Sequence, residues 1–255
     1  MATPVSEMAL LREANPVQKF SVIFAEDDQT RRQCYQLRYN VFANEFGAEV
    51  RGNEHGLDKD RFDDYCVQVA VYDNATQEII ATTRLLMNEG RDKTGMFYSE
   101  TEFDLSSILQ NNKQYLEVGR TCIHPDYRRG AALPMLWRGI ARAVVENQID
   151  YLFGCASIPL ANGDRYIQSV MNHIREKYFS PESMRVRPLI PLRMEDSPLA
   201  EEVILPTLLK AYLKQGAMIC GEPYWDAAFG VADVFVLLNS DHLSNRYVKH
   251  FIDRI

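Results

Sequence analysis

Apolar side chains recur along this chain with two periods, one of two residues and one of three to four, and their alternation predicts interleaved strands and helices. FSVIFA (20–25) reads as a strand, and 28–46 reads as a helix with Tyr35, Tyr39, Phe42 and Phe46 on one stripe, bordered by Arg38 and Glu45. CVQVAVY (66–72) and EIIATTRLLM (78–87) flank a polar turn like a β-hairpin, and a short helix is expected near 105–110. YLEVGRTCI (115–123) is a further strand, followed by the loop HPDYRRG and the strongest helical pattern in the chain. There Leu133, Leu136, Trp137, Ile140, Ala141, Val144 and Val145 share one face.

YLFGCAS (151–157) is the continuous apolar run of a strand covered on both faces, and 164–178 is again helical. An extended segment at 184–192, a helix at about 205–215 stopped by Gly216, strands at 217–220 and 233–238 and a helix at 244–254 complete the pattern. The reading is one α/β domain over 1–255, with a core at about 18–160 and a C-terminal elaboration at about 161–255.

Charge and composition narrow the function. The 28 basic and 35 acidic residues give a net charge of −7, so no attraction to nucleic acid is expected and an anionic partner needs a local basic patch. Five widely spaced cysteines are an odd set without a disulfide framework. With no secretory leader and no apolar run near the roughly 18 residues of a membrane span, a cytoplasmic location is expected. Asn74-Ala75-Thr76 then reads as a polar turn.

Ionised groups inside apolar strands are costly unless paired or functional, which singles out Glu117, Arg120 and Arg84. Strict alternation places Glu117 and Arg120 on opposite faces of their strand, whereas a bulge at Gly119 would turn both to one side and open a gap beside it. The acids Asp58, Asp60, Asp63 and Asp64 are available to close a network with Arg84, or to receive a cationic amine. The loop from His124 to Gly130, between a strand and a helix and carrying Arg128 and Arg129, is equally readable as a phosphate site or a solvated turn. The chain has no Walker A sequence, no zinc-ligand spacing and no nucleophile elbow around Ser157, and Cys155 reads as a small buried hydrophobe; no metal is expected. His55 and Asp60 match an H-x4-D spacing by chance.

Taken together, LRYNVFANEFGA, DKDRFDDYC, ATTRLL, FYSETEFDLSSIL, LEVGRTCIHPDYRRG, LWRGIARAV and DYLFGCAS resemble the ornithine-acyl-ACP N-acyltransferase family. This is a hemolysin-like branch of the GNAT superfamily related to acyl-homoserine lactone synthases. The resemblance resumes at LLKAYLKQGAMICGEPYWDAAFGVADVFVLL. It implies a GNAT-type fold, a mixed central sheet with flanking helices. It also implies transfer of a 3-hydroxyacyl group from acyl carrier protein to the α-amino group of an amino acid, ornithine above others.

On the matching positions the resemblance makes Glu117 the general base. Arg84 and Arg120 would orient it and hold the substrate carboxylate, and Arg38, Phe42, Asp58 and Asp63 would enclose the acceptor. The backbone around Thr121, Cys122 and Ile123 would polarise the thioester carbonyl.

Arg128-Arg129-Gly130-Ala131-Ala132 departs from the Arg/Gln-x-x-Gly-x-Gly/Ala register of CoA-dependent relatives. The expected donor is therefore 4'-phosphopantetheine presented by acyl carrier protein, with no bound cofactor. Arg128, Arg129, Gly130, Arg138 and Arg142 would form the docking patch for the acidic carrier. The alternatives are an acetyl-CoA-dependent N-acetyltransferase and a non-catalytic acyl-carrier-binding protein. An amphiphilic product leaves weak peripheral membrane contact open.

Overall fold

The computed structural model describes residues 19–45, 47–48, 55–110, 112–194, 198–200 and 203–243. The elements follow in the order β1 (Phe20–Phe24), α1 (Asp28–Tyr39), β2 (Val67–Asp73), β3 (Glu78–Met87), α2 (Asn88–Thr94), β4 (Phe103–Asp104) and β5 (Tyr115–Ile123). After these come α3 (Ala132–Glu146), β6 (Tyr151–Pro159), α4 (Asp164–Lys177), β7 (Arg187–Pro188), α5 (Thr207–Lys214), β8 (Met218–Ile219), β9 (Tyr224–Asp226) and β10 (Val231–Asn239). One sheet runs β1-β2-β3-β5-β6-β10-β8 with β9 on β10; it is mixed because only the β5–β6 pair is parallel. This is the α/β architecture expected from the alternating periods.

The sheet has two different faces. On one, the apolar stripes of α3, α4 and α5 cover the alternate strand residues Val69, Leu85, Val118, Leu152 and Val236. Gly139 lets α3 sit close to the sheet, since a Cβ there would meet Val69 and Val22. On the other face lie α1, which packs on Ala70, Ile79 and Cys122, and an aromatic layer of Phe97, Phe103, Tyr115, Phe153 and Phe235. Glu117 and Arg84 belong to this second face.

Several expected elements are displaced. The helix expected over 28–46 is α-helical only to Tyr39 and continues as a π-helical turn, Asn40–Glu45; Phe46 lies outside the described residues. The short helix expected near 105–110 is instead a hydrogen-bonded turn, with Ile108 and Leu109 N–H both donating to the Leu105 carbonyl. Ahead of it stand α2 and the two-residue β4, which pairs with β7 from the Pro-rich segment, and β9 is a further strand that the periodicity did not announce. The helix expected at 244–254 lies outside the described residues.

The feature that positions the site is the parting of β5 from β6. These nine-residue strands pair only through Tyr115–Glu117 and Tyr151–Phe153, then diverge. At the point of divergence Gly154 has no side chain to spare, because a Cβ there would collide with the Val118 carbonyl oxygen. Gly154→Val should therefore cost about 1–3 kcal/mol, the usual range for overpacking. Denaturant unfolding at constant slope would measure it, and an unchanged midpoint would mean the fork tolerates a side chain.

Candidate active site

Along β3 and β5, Thr82 pairs with Cys122 but Arg84 pairs with Gly119, so Arg120 and Thr121 together oppose Thr83. The bulge anticipated at Gly119 is thus centred one residue later, where Arg120 takes a left-handed φ of 49°. It turns the Arg120 side chain to the face that holds Glu117 and Arg84.

Three arginines and three aspartates meet there. Arg38 of α1, fully buried, donates from Nε to Asp58 Oδ2 at 2.8 Å and from Nη1 and Nη2 to Asp63 at 2.6 and 3.0 Å. Arg84 Nη1 bonds Asp60 at 2.6 Å and Asp63 at 3.2 Å, and Gln68 Nε2 adds a bond to Asp63 at 2.9 Å. Burial works to raise the Asp63 carboxyl, but Arg38 and Arg84 outweigh it and hold it well below the usual carboxylate range. Arg120 is held more loosely, at 3.4 Å from Asp58 and 3.5 Å from Asp60, and its Nε has no hydrogen-bond partner among the described residues. Its guanidinium lies between the rings of Tyr98 and Phe229, at 4.8 and 4.9 Å, and Phe42 packs edge-on against Phe229.

Glu117 is oriented by different partners from those expected. Arg84 and Arg120 bind the aspartates, while Glu117 accepts from Tyr98 N–H at 2.7 Å, from Ser99 N–H at 2.6 Å and from the Ser99 hydroxyl at 2.5 Å. Both N–H groups open the 3₁₀ turn Tyr98–Thr101, which has no side-chain cap of its own for them. Burial raises the Glu117 carboxyl above its ordinary value, and these three donors restrain the rise. Oε2 accepts only one of the three, which leaves it a further lone pair.

A second acidic group, missed in the sequence reading, occupies the same face beyond the fork. Glu102, Asp226 and Asp233 place carboxylate oxygens within 4.8 Å of one another. Ser157 donates to Asp233 Oδ1 at 2.7 Å, and the Cys155 thiol donates to the Ser99 hydroxyl at 3.4 Å. Burial and the neighbouring Asp233 push Glu102 up to about 8, and burial lifts Asp233 to about 6. Burial also keeps the Cys155 thiol well above its ordinary value, which disfavours the thiolate. The signal for Asp233 was available: it is an ionisable residue inside the apolar run VADVFVLL, as Glu117 is in its own strand.

Thr121, Cys122 and Ile123 line the edge of β5 at the fork. His124 N–H bonds back to Ile80 across β3, so alternation turns the Ile123 N–H toward the gap. On the opposite face a small apolar cavity lies under the fork, lined by Val118, Trp137, Gly154, Tyr212 and Val236. The Tyr212 ring packs edge-on against Trp137.

The expected docking patch is only partly present as free charge. Arg128 forms a two-pronged pair with Glu45, at 2.5 and 2.6 Å, and Arg142 binds Glu146 at 2.7 Å while lying 5.1 Å over the Phe24 ring. Arg138 is half-buried against the Met135 sulfur. Arg129 and Gly130 are exposed, and α3 begins at Ala132 without a side-chain cap.

Removing Arg38 would leave Asp58 and Asp63 buried beside a missing charge. Arg38→Met should therefore cost about 3–5 kcal/mol of stability, readable by denaturant unfolding; a loss under about 1 kcal/mol would mean that the network is dispensable for folding.

Residues 37–138 match the Acetyltransferase (GNAT) domain family. The L-ornithine N(alpha)-acyltransferase of Brucella abortus is 34% identical over 85% of this chain and 83% of its own. That of Rhodobacter capsulatus is 30% identical over 92% and 96%. Among solved structures, a CoA-dependent acyl-homoserine lactone synthase with SAM and isopentyl-CoA superposes with a TM-score of 0.56 at 12% identity, covering 92% of this chain and 88% of that one. That likeness is one of fold. With its GNAT segment and identity of this order along most of its length, the chain is an acyltransferase and belongs to the L-ornithine N(alpha)-acyltransferase family.

Proposed function

We propose that this protein transfers a (3-hydroxy)fatty acyl group from the phosphopantetheine thioester of acyl carrier protein to the α-amino group of ornithine, giving an amphiphilic N-acyl amino acid. The observation that carries the reading is the buried Glu117 carboxylate at the mouth of the β5–β6 fork, held by three donors with one lone pair left on Oε2.

An incoming ammonium must lose a proton before its nitrogen can attack the thioester, and a fixed carboxylate beside it is suited to take that proton. The tetrahedral oxyanion then needs a donor in the gap, which the Ile123 N–H supplies; its collapse breaks the C–S bond, and the expelled thiolate takes the proton that the nitrogen loses as the amide forms. Arg120, with Nε unbonded and its contacts to Asp58 and Asp60 long, is the arginine with donors to spare for the substrate carboxylate. Arg38, Asp58, Asp63 and Arg84 are the scaffold that holds Arg120 in place, and Phe42 closes the site through Phe229. The apolar lining beneath Gly154 gives the fork an apolar side on which the acyl chain could be received.

On the donor side, the uncapped start of α3 presents backbone N–H groups to the single phosphodiester of phosphopantetheine. The departure of 128–132 from the CoA-type register disfavours a full CoA nucleotide. The exposed Arg129 supplies the charge that meets the acidic carrier, with Arg128 and Gly130 shaping the loop, and Arg138 and Arg142 are secondary because their side chains are already engaged.

Two outcomes test this. Glu117→Gln, shown to be folded by circular dichroism, should lose about 10²–10⁴ in kcat. The wild-type rate should fall on acidification at a pH above the ordinary glutamate range, because burial raises the group that must be ionised. A variant turning over within threefold of wild type would remove Glu117 as the base. Arg129→Glu should raise the KM for acyl carrier protein and leave that for ornithine unmoved; equal effects on both would place the carrier elsewhere.

A further inference from the structure

The two charge clusters on the site face are built on opposite principles. Arg38, Arg84 and Arg120 against Asp58, Asp60 and Asp63 is a balanced set, three charges of each sign. Glu102, Asp226 and Asp233 is not. Their oxygens crowd within 4.8 Å, and among the described residues none of the three forms an ion pair with a basic side chain.

Glu102 and Asp233 are each only 4% exposed, and Oε2 of Glu102 has no hydrogen-bond partner among the described residues. A buried carboxyl with an oxygen left unpartnered among the described residues, crowded by two more carboxyls, is costly unless a proton or a cation completes the group. The half-buried Asp226 leaves the cluster an open side.

We propose that Glu102, Asp226 and Asp233 form a subsite for the side-chain ammonium of a dibasic amino-acid acceptor. This rests on the reading of the protein as an amino-acid N-acyltransferase and names what selects its acceptor. An ammonium carries three N–H donors and no acceptor, so three carboxylates can each take one. A calcium-type ion takes six to eight oxygen ligands, more than the three carboxylates and the Ser157 hydroxyl offer.

The position suits the chemistry. Ser99 donates to Glu117 and accepts from Cys155, and the Cys155 thiol stands beside Glu102, so two side chains separate the base from the trio. Arg120 lies at the side of both, against Tyr98 and against Phe229, whose own N–H bonds Asp226 at 3.1 Å. The α-amine at Glu117, the α-carboxylate at Arg120 and the distal ammonium at the trio are three handles on one dibasic amino acid.

The test compares L-ornithine with L-norvaline, which has the same carbon skeleton without the distal amine, as acceptors for 3-hydroxyacyl-loaded carrier protein. Wild type should prefer ornithine in kcat/KM by roughly 10²-fold or more. Glu102→Gln and Asp233→Asn, each checked for folding by thermal unfolding, should shrink that preference at least about tenfold, chiefly through the KM for ornithine. A parallel fall with both acceptors overturns the subsite and makes the trio part of the scaffold. Loss of the preference on chelation, restored by Mn²⁺ alone, also overturns it in favour of a metal ion.

Calorimetric titration with ornithine and norvaline, without any acyl donor, separates this inference from the reaction it rests on. Ornithine-selective binding that needs Glu102 and Asp233 sustains the subsite even if no acyl transfer follows. Acylation of ornithine by variants with unaltered selectivity removes the subsite and leaves the transferase reading in place.

Discussion

Two parallel strands that separate midway through a sheet leave backbone donors and acceptors facing each other without partners, a cost that a buried sheet ordinarily avoids. In this protein β5 and β6 part after Glu117 and Phe153, and the surrounding structure accommodates the break. Gly154 gives way to the Val118 carbonyl, a bulge puts Arg120 into the left-handed region, and α3 and α5 roof the gap with Trp137 and Tyr212. The fork thus lies between a polar face and an apolar one.

The polar face draws its rigidity from buried ion pairs that are balanced in charge. Isolated buried charges destabilise a fold, but Arg38 and Asp63 satisfy each other through two parallel hydrogen bonds and draw Gln68 and Arg84 into the same network. Arg120 sits at the margin of that network, held by two aromatic rings and two long ionic contacts. It is anchored without being saturated. The trio of Glu102, Asp226 and Asp233 shows the converse: burial, with the crowding of carboxyls and no ion pair to a basic side chain among the described residues, makes two of the three resist ionisation. The two clusters are thus distinguished by charge balance.

Glu117 illustrates how one short segment links these parts. The Tyr98–Thr101 turn offers two N–H groups and a hydroxyl to Glu117, its Tyr98 ring supports Arg120, and the chain leaving it carries Glu102 into the trio. A displacement of this turn would disturb Glu117, Arg120 and the acidic cluster together.

The sequence by itself determined the alternation of strands and helices, the apolar stripe of α3, and the conflict of charge with burial at Arg84, Glu117 and Arg120, because each is local in the chain and periodic or anomalous against its neighbours. The bulge was also legible, to within a residue, from a glycine between two charges that needed the same face. Partner choice was legible only as alternatives. Arg84 was open to Glu117 or to the aspartates and takes the aspartates, Arg120 joins them, and Glu117 turns to a segment eighteen residues away, because pairing across strands and loops depends on register and on which N–H groups the backbone leaves unsatisfied. Arg128 and Arg142 read as basic charge in one dimension and prove already paired with Glu45 and Glu146 in three. The gathering of Glu102, Asp226 and Asp233 from a loop and two strands is likewise a product of tertiary structure, since no spacing in the chain relates them.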